Sequence, residues 1–144
     1  MKTTSVYRIE HTDRSAINIG TDRKIKGVNA GPYVSRGRGK STLLSEMSNA
    51  HNNDYTHPSV RDDIYEWWSE DFNPYKHVCC FKTKKQVKTW FKGWFEVLHS
   101  EGYVLVKYTI KEDGLIMGRS KKQGIFNPKK IIERKVVGNL DIIK

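Results

Sequence analysis

The stretch TKKQVKTWFKGWFEVLHSEGYVLVKYTI, residues 83–110, carries the strongest helix signal and the strongest strand signal of the chain, one directly after the other. Thr83-Lys84-Lys85-Gln86 is a capping box, in which the Thr hydroxyl and the Gln side chain satisfy free N–H groups at a helix start. From there Val87, Trp90, Phe91, Trp94, Phe95 and Leu98 recur at helical spacing, and Gly102 supplies the C-terminal stop. The pattern predicts an amphipathic aromatic helix over about 84–101. Its Trp and Phe residues lie on the one stripe that must be buried, which reads as core rather than as a platform for stacking bases. Lys84, Lys85, Lys88 and Lys92 crowd the first half, where the macrodipole disfavours cations. Either that face has an anionic partner or the cost is simply tolerated.

The run Tyr103–Ile110 is rich in β-branched and aromatic residues and predicts a strand, closed by a turn at Lys111-Glu112-Asp113-Gly114. Downstream, residues 115–118 and 123–128 read as short strands around a basic loop, 119–122. Ile131-Ile132, Val136-Val137 and Ile142-Ile143 suggest one or two late strands. Upstream, Ser5–His11 alternates, with Val6, Arg8 and Glu10 on one side and Tyr7 and Ile9 on the other. If Tyr7 and Ile9 face the core, Arg8 faces a cleft or solvent. Residues 12–63 are mostly polar, with a short turn at 41–47 and a proline-punctuated turn at 57–63 before the apolar cluster 64–68. A loop of that length is usually functional or disordered. The fold class expected is α+β: a single domain over 1–144, a mixed or antiparallel sheet, one strong helix and a long polar insertion at about 12–63.

Two motif readings fail on spacing. Gly39-Lys40-Ser41 ends like a phosphate-binding loop, yet the position that needs the first glycine is Val34, and no apolar strand precedes it. A flexible basic loop is the alternative. Cys79 and Cys80 are adjacent, so they read as strand residues pointing to opposite faces rather than as a disulfide or, with His77, His51 or His57, a zinc site. No metal is expected.

A length of 144 residues fits one domain, and 37% hydrophobic residues suffice for one core. No run is long and apolar enough to cross a bilayer, and the N-terminus lacks the apolar segment of a signal peptide. The expected location is the cytoplasm. A formal charge of +10 favours an anionic partner, such as nucleic acid, a phosphorylated cofactor or an acidic protein surface, with a merely solvated basic surface as the plain alternative.

The succession Tyr7–His11, Gly31-Pro32-Tyr33, His57-Pro58-Ser59 with Asp62 and Asp63, and Phe81-Lys82-Thr83 opening the aromatic helix resembles a group of small bacteriophage proteins. The same order also resembles the ADP-ribosyltransferase fold, which implies NAD as cofactor. Carried over, that resemblance has Arg8 or His11 holding the cofactor, Thr83 bracing the site and Gln123 above the nicotinamide ribose. Gly31 and Tyr33 would line the pocket, while Arg36, Arg38 and Lys40 meet the phosphates or the target. Cleaving the nicotinamide bond passes through a cationic sugar, so an Arg suits the pyrophosphate clamp. Gln in place of the family's usual Glu can orient a hydroxyl but cannot offset the developing charge. The resemblance therefore implies one of two classes: a phage enzyme that modifies a host or defence target with NAD, or a non-enzymatic basic protein that binds a host protein or nucleic acid.

Overall fold

The computed structural model describes residues 2–17, 23–33, 42–52, 54–69, 72–73 and 76–140. A three-stranded antiparallel sheet lies at the centre, in the order β1 (Thr3–His11), β5 (Tyr103–Lys111), β8 (Ile131–Gly138). A hairpin, β2 (Ser15–Ile17) with β3 (Lys24–Asn29), and a second three-stranded antiparallel sheet accompany it. That second sheet runs β4 (Val78–Cys80), β7 (Gly124–Phe126), β6 (Leu115–Met117). The helices are α1 (Thr42–Asn52), α2 (Val60–Asp63), α3 (Lys84–Trp90) and α4 (Phe95–Ser100). The fold is α+β, as its sequence suggests.

Strand alternation explains why the central sheet needs cover on both sides. On β5, Tyr103 and Leu105 enter a cluster with Leu44, Met47, Val87, Trp90, Phe91, Phe95 and Leu98. The intervening Val106, Tyr108 and Ile110 enter another with Val6, Val28, Val78, Cys80 and Phe126. Helices therefore close one face and the smaller strands the other, and the near-continuous apolar run of β5 is what burial on both faces demands. The second layer changes the expectation for β1. Arg8 does not face a cleft or solvent: it is 6% exposed, because β4 and β3 lie across its side of the strand.

The aromatic helix is present in two pieces. Thr83 and Gln86 form the reciprocal capping box, and Phe91 closes α3 by donating its N–H to Val87. Gly93 then takes φ +89°, a left-handed conformation that glycine adopts without a Cβ penalty, and Trp94 starts α4. The break turns the aromatic stripe so that Trp90, Phe91, Phe95 and Leu98 all stay buried against α1 and β5. The polar insertion holds β2, β3, α1 and α2. Among its described residues the hairpin is mostly exposed and anchored by Ala16 and Val28 with Ile25 packed beside them, too few apolar positions to write a period. Among the described residues the late segment forms one strand, β8, while Ile142 and Ile143 lie outside them.

Candidate functional site

Positions 8 and 10 share a face of β1, and the pairings Val6↔Tyr108 and Tyr108↔Arg134 carry that face across the sheet. Four polar side chains meet there. Arg8 Nε donates to Glu10 Oε2 at 2.6 Å, and the Tyr108 hydroxyl donates to the same oxygen at 2.6 Å. Arg134 Nη2 reaches Glu10 Oε1 at 2.9 Å and its Nε reaches the Tyr108 oxygen at 3.1 Å. Arg8 also donates to the carbonyls of Cys79 and Asn29, so its Nε and both Nη are engaged. Glu10 is fully buried, which would be costly for a lone carboxylate and is tolerable with three donors around it. Burial, then the Glu10 charge beside it, pushes the Tyr108 phenol upward. For Arg8, burial works against the charge and Glu10 with Tyr108 more than offset it, leaving a raised pKa.

Thr83 and Gln123 lie in two other sets of bonds. Thr83 accepts from Gln86 N at 3.1 Å, and Gln86 Oε1 accepts from the amides of Lys82 and Thr83. Gln86 Nε2 also donates to the Lys121 carbonyl at 2.7 Å, tying the start of α3 to the loop 118–122. Gln123, 3% exposed, donates to the Pro58 carbonyl at 2.7 Å and to Asp63 at 3.3 Å. Asp63, buried in turn, accepts the amide and the hydroxyl of Ser120, each at 2.7 Å. Gly118 passes so close that a Cβ there would stand 2.1 Å from Asp63 Oδ2. Asp63 is thus the keystone of the loop.

The remaining cofactor-pocket candidates are also held by neighbours. His11 Nδ1 accepts the amides of Asp13 and Arg14 at 3.0 Å each, which requires that nitrogen to be unprotonated. Burial and the nearby Arg14 cation lower its pKa accordingly. Gly31 packs over Arg8, with a Cβ position 3.5 Å from Nη2. Tyr33 stacks on Phe91, accepts from Trp90 Nε1 at 2.8 Å and hydrogen-bonds His51 Nδ1. Arg36, Arg38 and Lys40 lie outside the described residues, as does Val34. Arg8, Thr83 and Gln123 therefore sit in separate hydrogen-bond sets. Neither of two surface hollows, one beside Lys111 and Lys130 and one beside β3 and Arg134, is lined by any of them.

One cluster goes unread in the sequence. His51 and His57 stack with ring centres 4.0 Å apart, His57 Nε2 lies 2.7 Å from the Trp90 carbonyl, and its Nδ1 lies 3.1 Å from Asp54. Burial first, and then the neighbouring His57, lower the His51 pKa to about 4, and its Nδ1 shares a hydrogen bond with the Tyr33 hydroxyl. A spacing of 51 to 57 across a helix end has no helix or strand periodicity, so nothing local signals the stack. Among the described residues, no group of three or more His, Cys, Asp or Glu is placed to hold a metal ion.

The family profile described as Bacteriophage T4 Y00F protein matches residues 1–138. The chain belongs to that family. Among curated proteins and among solved structures no match is found, and the comparisons lend no support to the ADP-ribosyltransferase resemblance. In this phage protein the feature that stands out is the placement of exposed cations. The Gln86 to Lys121 bond ties the start of α3, a helix on which Lys84, Lys85 and Lys88 are exposed, to the loop on which Arg119, Lys121 and Lys122 are exposed. The first turn of α3 contains no acidic residue. Lys121 takes φ 62°, which fixes the loop in a tight reversal rather than leaving it to trail. Arg119 and Lys122 are braced by the carbonyls of Asp62 and Thr56. No helix among the described residues is long and apolar enough to cross a membrane.

Proposed function

We propose that this phage-family protein is a non-enzymatic binding protein of the host cell, whose basic face takes the phosphate backbone of nucleic acid. The observation that carries the reading is the joining of the start of α3 to the loop 118–122, two segments distant in sequence that each carry several exposed cations. Arg and Lys neutralise phosphates and release counterions, a contact that needs charge and position but no cleft. The helix cations noted from the sequence then have a use that offsets their unfavourable dipole position. The residues an NAD-dependent transferase would use are engaged in internal hydrogen bonds: Arg8 with Glu10, Cys79 and Asn29, and Gln123 with Pro58 and Asp63.

Fluorescence anisotropy with a labelled duplex DNA, over a salt series, tests the reading. Neutralising three or four phosphates predicts a log–log salt slope of about −3 to −4. Affinity that is absent at about 50 mM salt, or present with a flat slope, contradicts it. Titration with NAD in parallel is expected to give no saturable heat; saturable binding lost in Gln123→Ala would restore the transferase reading.

A further inference from the structure

The outer edge of β8 carries a second, separate surface. Tyr7 and Phe81 exchange both backbone hydrogen bonds, at 2.7 and 2.8 Å, so Tyr7 turns its N–H and C=O away from β5. Bond direction alternates residue by residue in an antiparallel ladder. The register Tyr7↔Lys107 and Lys107↔Lys135 then points the backbone of Lys135 at β5 and leaves the N–H and C=O of Arg134 and Val136 facing outward. Among the described residues no strand lies beyond β8. This edge is eight residues long, and it shows apolar side chains to solvent at both ends, Ile132 at 47% and Val136 at 50% exposure.

We propose that β8 accepts an added strand from another protein, an extended segment that alternates apolar and acidic side chains. Main-chain bonds to Arg134 and Val136 would supply the pairing, and side chains set the choice of partner. Lys135 is exposed, Arg134 is partly so beyond its bond to Glu10, and Lys129 lies just before the strand, against one acidic residue, Glu133. Cations on an edge normally discourage pairing with a like strand. Here they disfavour a second copy, because two bodies that each carry a charge of +10 repel one another. They favour an acidic strand for the same reason. The edge lies on other elements than the α3 face, so either surface can fail without the other.

The probe is a nine-residue peptide alternating valine and glutamate, followed by isothermal titration and by amide shifts of the isotope-labelled full chain. Binding is expected, with shifts concentrated at 131–138. N-methylating the peptide backbone on its pairing edge is expected to weaken binding about tenfold or more. The lysine-for-glutamate peptide is expected not to bind. Val136→Pro removes an outward donor and none from the β5 ladder, and should weaken binding similarly. Should that variant fail to fold, the N-methylated peptide decides alone. The proposal is overturned if the glutamate peptide does not bind, if N-methylation leaves its affinity unchanged, or if the lysine peptide binds equally. A dimer in sedimentation that Val136→Pro dissolves also overturns it, since the occupant would be a second copy.

Discussion

Two sets of cations in this molecule have opposite fates. Arg8 and Arg134 converge on one buried carboxylate, Glu10, and the set is closed by Tyr108. Lys84, Lys85, Lys88 and Lys121 stand in solvent on elements whose backbone is held by Gln86. The first set fixes how three strands and the second layer stack. The second can be changed in charge with little consequence for folding. Residue type alone does not separate them; what separates them is whether a covering layer exists on that side of the strand.

Removing the charge at the centre of the buried set is the hardest blow. Glu10→Gln leaves two guanidinium groups facing each other without their counter-charge, and should cost about 3–5 kcal/mol in urea unfolding. A loss below about 1 kcal/mol would mean that water enters the site and the charges are not truly sealed. Gly118→Ala comes next, because the new Cβ must displace Asp63 from its bonds to Ser120. About 1–3 kcal/mol is expected, with increased exchange of the Ser120 amide as the local signature. Thr83→Ala removes the cap acceptor of α3 and should cost about 1 kcal/mol.

The buried His51 adds a pH test. Its folded pKa, about 4, lies below the ordinary histidine value, so the unfolded chain binds the extra proton first as pH falls. The contribution is fully present above about 6.5, the unfolded value, and is lost as pH drops toward 4. His51→Gln should flatten the part of the stability profile between those limits, measured as the difference in urea midpoint from wild type. An unchanged profile would place the titration elsewhere.

How much of this could be read beforehand differs between the two faces of the central sheet. The helical face was legible because Thr83, Gln86 and the aromatic stripe through Leu98 write a cap and a period. Only the break at Gly93 is unannounced, since a lone glycine inside a helical pattern is often tolerated. The opposite face was legible only in part: 115–118 and 123–128 read as short strands, but nothing in them tells what they cover. β4, β6 and β7 are three residues each, too short for a period, and β2 with β3 present few apolar residues. Without those strands, Arg8 reads as facing a cleft or solvent and nothing local marks Gln123 as buried, when both are buried polar groups. The same blindness hides the basic face, because the start of α3 and the loop at Lys121 are joined through a side-chain bond to a backbone carbonyl.

The most direct test of that division is duplex binding by Lys84→Glu/Lys121→Glu, measured across salt beside its thermal midpoint. An unchanged midpoint is expected, with affinity at least about tenfold weaker at low salt and a salt slope shallower by about 2. Wild-type affinity and slope in the double variant, with the fold intact, would contradict it: the exposed cations would then be a solvated surface and nothing more.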